Sequence, residues 1–437
     1  MSVSAIAADA RPVPSGTTTR QWGIVGVLLL AAILNSADRS SLAIAAPALS
    51  RDLVLSPVQM GFLLSAFFWT YAVGQVVAGW FTDRFPVLWV FTIGFVVWSA
   101  ATFCTGLVQG MTSLLVLRLL LGGGESVAFP CYSKIFATEF PPAKQGLPNA
   151  ILNSGTKIGA ALGILVGGVL IALYGWRMMF FVLGGGGVVF LILWFMLAPR
   201  TDRRPRGQAT STATKAGPSY LDILRNRDAW GTFLGAGCYN YAYFFGLTWL
   251  PSYLVQQKHL SLENMGIIGA IPFWAAAVSA VIGGWTSDAL IEKGHSTTKV
   301  RKAFVASGLV FSVAAFPSAI VEDLTVSLVL LTVAYMALGI TVSNLWAISQ
   351  TLAGPTAAGK WSGAQNCLGA IAGIIAPIVS GFVVQQTGNF SLAFLIMAML
   401  ALVGAASYVF LVRTIAPIDW VAERTRPGLR PGTRAAL

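Results

Sequence analysis

Asp38, Arg39, Arg118, Glu125 and Lys157 are ionisable side chains set inside long apolar runs of the sequence. A charge at the middle of a lipid bilayer costs about 2.5–3.5 kcal/mol for Asp, Lys or Arg on the most lenient insertion scale. Five of them in one half of a chain are not passengers. Their types define the chemistry: two carboxyls that can bind and release protons, and three cations that can hold an anion. Carboxyls withdrawn from water generally keep their protons to higher pH, which suits a reversible proton carrier. Bond-making chemistry has no such signature here. The sequence shows no nucleophile–base constellation and no metal-ligand spacing among Cys104, Cys131, Cys238 and Cys367. Gly122-Gly123-Gly124 lacks the Gly-Lys-Ser/Thr ending of a phosphate loop. His259 and His295 fall in predicted loops, so no histidine relay crosses the membrane. The expectation is a protein that is not an enzyme and has no metal or cofactor.

The elements that must position these five residues are membrane helices. The 437 residues are 56% hydrophobic and 10% charged, with a mean hydropathy of +0.74, whereas soluble domains carry about 25% charged residues. Apolar runs long enough to span a bilayer predict twelve helices, near 22–48, 57–81, 87–107, 112–133, 147–171, 178–198, 229–254, 264–290, 302–321, 325–350, 361–386 and 391–413. The net charge of +12 reports topology, not a nucleic-acid partner. Arg51, Arg177 and Lys258 fall in one set of loops. The other basic residues outside the spans, including Arg200, Arg203, Arg204, Arg206, Lys299, Arg301, Lys302, Arg424 and Arg426, fall on the opposite side. The positive-inside bias then puts both termini and the long middle loop in the cytoplasm. The first span has no small-residue cleavage site and reads as retained. The expected organisation is a cytoplasmic tail over 1–21, a six-helix bundle over 22–198 and a cytoplasmic linker over 199–227. A second six-helix bundle over 228–413 and a cytoplasmic tail over 414–437 complete it.

The two halves repeat. Leu55-Ser56 and Met60-Gly61 match Leu260-Ser261 and Met265-Gly266 at an offset of 205. The same offset pairs Phe68-Trp69 with Phe273-Trp274, Gly79-Trp80 with Gly284-Trp285, and Asp83 with Asp288. At an offset of 214, Gly155, Gly159, Gly163 and Gly167 match Gly369, Gly373, Pro377 and Gly381. Spacing of four puts these on one helix face, where a neighbouring helix can come close. Tight packing explains them singly; their equivalent places in both halves suggest helices that rock.

Gly79-Trp80-Phe81-Thr82-Asp83-Arg84, echoed by Gly284 to Asp288, resembles the loop signature of the major facilitator superfamily, although the basic residues that usually close it are replaced by Pro86-Val87-Leu88-Trp89. The resemblance implies a charge latch made by Asp83, Arg84 and Asp288. Further motifs are similar to the anion:cation symporter branch, which includes hexuronate, galactonate, glucarate and phthalate permeases and sialin-type carriers. They are Asn35-Ser36-Ala37-Asp38-Arg39, Tyr71-Ala72-Val73-Gly74-Gln75, Arg118 with Gly122-Gly123-Gly124-Glu125, Phe129-Pro130, and Asn153-Ser154-Gly155. The branch implies that Asp38 is a proton site and that Arg39 meets the substrate anion. The chain departs from its sugar-acid members, several of which have glutamine in place of Thr156, lack Lys157, and tend to have tyrosine in place of Ser36.

Each site residue has a plainer alternative. Asp38 and Arg39 point about 100° apart on a helix, so one can face a cavity while the other meets a second helix. The alternative is a helix-end pair snorkelling to the interface. Arg118 and Glu125 lie two turns apart on one face, where Glu125 serves as a proton carrier or as the structural partner of Arg39. Lys157 is a second anchor for a doubly charged anion, or a lysine snorkelling to the cytoplasmic end of its span. In the second half, Asn240, Asn344 and Asn366 are buried-amide candidates for hydroxyls or carboxylate, beside Tyr239, Tyr241, Tyr243, Trp346 and Gln365.

The sequence thus predicts an all-α polytopic carrier of two six-helix bundles, a monomer in the cytoplasmic (inner) membrane. It would take up a small organic anion with protons by alternating access. Asp38 and Glu125 would carry protons, and Arg39, Arg118, Lys157, Tyr71, Thr156, Asn344, Trp346 and Asn366 would meet substrate. The alternatives are a sulfonate–carboxylate dianion, coupling to Na⁺, or exchange. A membrane sensor is disfavoured by the short cytoplasmic loops.

Overall fold

The computed structural model describes residues 19–140, 146–197 and 218–420, and no strand occurs among them. The helices are α1 (Thr19–Asp52), α2 (Pro57–Arg84), α3 (Val87–Thr105), α4 (Met111–Glu125), α5 (Ala128–Glu139) and α6 (Gly146–Leu197). After them come α7 (Tyr220–Leu224), α8 (Arg227–Gln256), α9 (Leu262–Glu292), α10 (Thr297–Phe311), α11 (Ala315–Ile320), α12 (Leu324–Thr387) and α13 (Ser391–Ala406). The repeat seen in the sequence is a repeated helix start. Ser56 Oγ accepts from the Gln59 N–H, the Gln59 side chain accepts from the Ser56 N–H, and Pro57 opens α2. At the equivalent place Ser261 accepts from the Asn264 N–H and opens α9. Such caps satisfy donors that a helix leaves orphaned, where no water is at hand.

The outside of the bundle is apolar. Val281, Trp285 and Phe410 are 72%, 74% and 72% exposed, the reverse of a soluble surface and fit for lipid. Among the described residues, nine stretches are long and apolar enough to cross a membrane. One of them, Ile151–Leu197, has 47 residues and would measure roughly 70 Å as one straight helix, over twice a hydrocarbon core of about 30 Å. It turns at Gly175 (φ 81°, ψ 163°).

Several predicted boundaries are corrected. The loops expected between 171 and 178 and between 350 and 361 are single-glycine corners inside α6 and α12, at Gly175 and at Gly354 (φ 60°). Only glycine adopts such backbone without a steric penalty, so helix continues on both sides. The span expected at 112–133 is one apolar stretch over Met111–Phe136, and within it the helix is interrupted between α4 and α5, where Pro130 has no N–H for the Ser126 carbonyl. The end of the expected linker at 199–227 carries α7, opened by a reciprocal cap between Ser219 and Asp222. The start of the expected tail at 414–437 is docked: the Ile418 N–H donates to the Leu352 carbonyl (3.1 Å) and Trp420 Nε1 to the Ala353 carbonyl (3.2 Å). The remainder of the linker and both tails lies outside the described residues.

Glycines set the helix contacts. Gly155, Gly159, Gly163 and Gly167 of α6 lie against Leu29, Ile33, Ala37 and Ile44 of α1 in turn; a Cβ on Gly159 would come 2.3 Å from the Ile33 carbonyl oxygen. The two helices therefore run parallel in register. Their counterparts on α12 behave differently: Gly381 meets Pro57 and Gly61 of α2, and Gly373 meets the Phe68 ring. Here the stripe joins the two halves. Gly168 and Gly266 make a further contact between halves, with a Cβ on Gly168 falling 2.4 Å from the Gly266 Cα. Val58 N–H donates to Gln385 Oε1 at 3.2 Å beside them. These contacts gather at the end of the bundle that carries the α1–α2 and α8–α9 turns.

Candidate functional site

Gly122 is where the site begins. Its missing side chain lets α2 press on α4, since a Cβ there would lie 2.2 Å from the Phe67 carbonyl oxygen. That approach carries the Phe67 and Tyr71 rings, stacked at 5.0 Å, over the middle of α1. The Arg39 guanidinium carbon sits 4.8 Å from the Phe67 centroid and 4.6 Å from the Tyr71 centroid. Its Nη2 donates to Glu125 Oε2 at 3.1 Å and to Asn35 Oδ1 at 3.3 Å. Glu125 is wholly buried. An ion pair in such surroundings survives only with further hydrogen bonds and polarizable neighbours; the two rings and Asn35 supply part of these, while Glu125 Oε1 and Arg39 Nε have no partner among the described residues.

Arg118 is 3% exposed and Asp38 4%. Among the described residues no carboxylate lies within 4 Å of Arg118. Its Nη2 donates to Ser41 Oγ at 3.4 Å, and its Nε has no partner among the described residues. Arg39, Arg118, Phe67, Phe68, Leu247 and Thr248 border a small cavity of about 10 Å³ between the two halves. A buried guanidinium with spare donors, next to one already paired, can take up an anion bidentately.

The α1 pair does not snorkel, because the helix runs on to Asp52 beyond Asp38 and Arg39. Lys157 does not snorkel either: its Nζ lies 4.8 Å from the Tyr243 centroid, across the boundary between halves. Tyr71 belongs to the Arg39 cradle. Thr156 is half-buried, and its hydroxyl donates back to the Asn153 carbonyl (2.8 Å). Trp346 is half-buried and packs against the core, and Asn366 is exposed.

Asn344, expected at the substrate, is buried, and its Oδ1 accepts from Arg301 Nη1 at 2.9 Å. Arg301 also donates to Asp288 Oδ1 at 2.6 Å and to Ser287 Oγ at 3.0 Å. Buried amides seek fixed charges as readily as ligands, and spacing alone does not separate the two. Asp288, expected in a charge latch, thus bridges α9 to Arg301 of α10. Asp83's side chain lies outside the described residues. Arg84 is exposed and stands 6.0 Å from the Trp80 centroid. Sequence reasoning missed Phe67, Ser41 and Arg301. Only Phe67 had a signal, one helical turn before Tyr71.

Helices in two repeated halves around buried charges define a membrane transporter, not an enzyme. The profile of the Major Facilitator Superfamily matches residues 28–377, and the chain belongs to that family. It is 31% identical to the hexuronate transporter of Bacillus subtilis (strain 168), over 90% of this chain and 94% of the relative. A probable galactarate/D-glucarate transporter of Escherichia coli (strain K12) is 30% identical over 92% and 96%. A probable sulfoacetate transporter of Cupriavidus necator is 30% identical over 89% and 93%. The fold is similar to that of a bacterial homolog of the human lysosomal transporter Spinster, crystallised inward-facing and occupied. The TM-score is 0.77 at 18% identity, covering 94% of this chain and all of that one.

Proposed function

We propose that the chain imports a small organic anion together with protons across the cytoplasmic membrane by alternating access. The observation that carries the reading is the contrast between two arginines: Arg39 holds Glu125, while Arg118 is buried with no carboxylate within 4 Å among the described residues. Arg118 receives the substrate carboxylate first. Protonation of Glu125 releases Arg39 to join it, and Asp38 supplies a second proton site beside Arg118. Tyr71 closes the cradle, and Thr156 and Asn366 line the approach. When the protons leave on the inside, Arg39 returns to Glu125 and the anion is expelled. Relatives named for hexuronate, galactarate/D-glucarate and sulfoacetate transport support an anionic substrate.

On this reading, α6 and α12 each cross twice and the helices make twelve spans, with both termini cytoplasmic in a monomer. The turn-bearing end that holds the Gly168–Gly266 contact then faces outward and is closed, and substrate leaves toward the cytoplasm. The test is uptake by purified protein in liposomes under an imposed pH gradient. An organic acid should accumulate when the outside is acidic and stop accumulating when an uncoupler is added. Accumulation driven by a Na⁺ gradient at equal pH would replace the proton with sodium.

A further inference from the structure

An unbroken row of aromatic rings joins Arg39 to Lys157. Tyr71 stacks on Phe67 at 5.0 Å, Phe67 touches Phe68 at 5.2 Å, and Phe68 meets Phe244 of the other half at 4.6 Å. Phe244 then contacts Tyr243 at 5.5 Å, and the Lys157 ammonium stands 4.8 Å from the Tyr243 centroid. Each end of the row thus presents a cation. Among the described residues Lys157 has no carboxylate within 4 Å, so its charge is met by ring faces alone.

The register of α1 and α6 sets the distance between the cations. Gly159 abuts Ile33, which puts Lys157 two residues to one side of that level and Arg39 six to the other. At 1.5 Å per residue their Cα levels differ by roughly 12 Å along the bundle. That interval suits anionic groups at opposite ends of a molecule, not on neighbouring carbons.

Lys157 borders a narrow cavity of about 20 Å³ between the halves, walled by tyrosine, phenylalanine, alanine, leucine, valine and glycine. Tyr335 turns its hydroxyl away, onto Gly246, where a Cβ would lie 1.1 Å from it. Tyr239 and Tyr243 are the remaining lining residues with a hydroxyl. A polyhydroxylated chain laid here would leave most of its hydroxyls without partners, and unpaired buried hydroxyls oppose binding.

We infer that the site takes a two-headed organic anion with an apolar or aryl body, one head on the arginines and the other on Lys157. This rests on the transport reading above and deepens it by naming the substrate class. Calorimetric binding to the purified full-length protein tests it with three six-carbon acids. Adipate has two carboxylates and a bare body, galactarate has the same two carboxylates with four hydroxyls, and hexanoate has one carboxylate. Adipate should bind at least tenfold more tightly than either of the others. Lys157→Gln should bring adipate to the hexanoate level, and Lys157→Arg should keep the preference, which separates lost charge from lost folding. Galactarate binding as tightly as adipate would overturn the apolar body, and a Lys157→Gln protein that still prefers adipate would overturn the second anchor. In both cases a loss of binding in Arg118→Ala would leave the anion-transport reading standing. Failure of adipate to bind would overturn the two-headed, apolar-bodied substrate and leave the anion-transport reading to the liposome uptake test.

Discussion

Glu125 gives a carboxylate oxygen to Arg39 at 3.1 Å, while Arg118, two turns earlier on the same helix as Glu125, has no carboxylate within 4 Å among the described residues. Glu125 is thus committed to Arg39. A single proton on Glu125 would leave both arginines to an incoming anion, so the two cations differ in when they become available. The consequences are separable by mutation.

Arg118→Ala should weaken binding of the transported acid by about 2–5 kcal/mol, the cost of stranding a buried charge without its partner. Arg118→Lys should restore little of it, since an ammonium cannot form the two parallel bonds of a guanidinium. Calorimetry on the folded variants checks this. Unchanged affinity in Arg118→Ala would move the anion site elsewhere.

Glu125→Gln and Asp38→Asn should each abolish accumulation against a gradient and preserve acid-for-acid exchange. The sign follows from the pairing. Protonating Glu125 frees Arg39, so wild-type uptake should rise as external pH falls, and Glu125→Gln should flatten that profile. Counterflow measured beside net uptake separates the two activities. Normal accumulation in both variants is the adverse outcome.

Tyr71→Leu should weaken acid binding by about 0.5–2 kcal/mol, the range of a cation–aromatic contact between exposed and desolvated sites. Tyr71→Phe should stay near wild type if the ring is what matters. A Tyr71→Phe protein as impaired as Tyr71→Leu would assign the effect to the hydroxyl.

Asn344→Ala should leave acid affinity within about twofold while lowering stability by about 1.5–3 kcal/mol, the worth of a hydrogen bond to a charged group. Asp288→Asn should act in the same direction. Binding and thermal unfolding on the same preparations distinguish this from a ligand role, which would change affinity first.

The helical architecture, the two repeated halves and the five charges within helices, of which Asp38, Arg118 and Glu125 are buried, were legible because charge inside an apolar run is rare and repeats keep their spacing. The pairing was legible in part: an Arg39–Glu125 pair follows from helix periodicity and the need for a partner. What the sequence did not disclose depends on which backbones come close. Gly122 brings Phe67 to Arg39 only because α2 lies on that face of α4, and Arg301 claims Asn344 through a contact between helices far apart in sequence. The corners at Gly175 and Gly354 were misread as loops, because a lone glycine in an apolar run does not announce whether its φ is positive.

On the alternating-access reading, the contact between Gly168 and Gly266 bears on how readily water enters as the two halves part there. Exposing apolar surface costs about 25 cal/mol per Å², so a seam closed by leucines would resist wetting in proportion to the side chains uncovered. A seam closed by bare backbone uncovers peptide groups that water solvates well and very little hydrocarbon. The Gly168–Gly266 contact therefore adds little to the hydration penalty of opening this end, and the larger share falls on the apolar side chains beside it, such as Phe62 against Phe382.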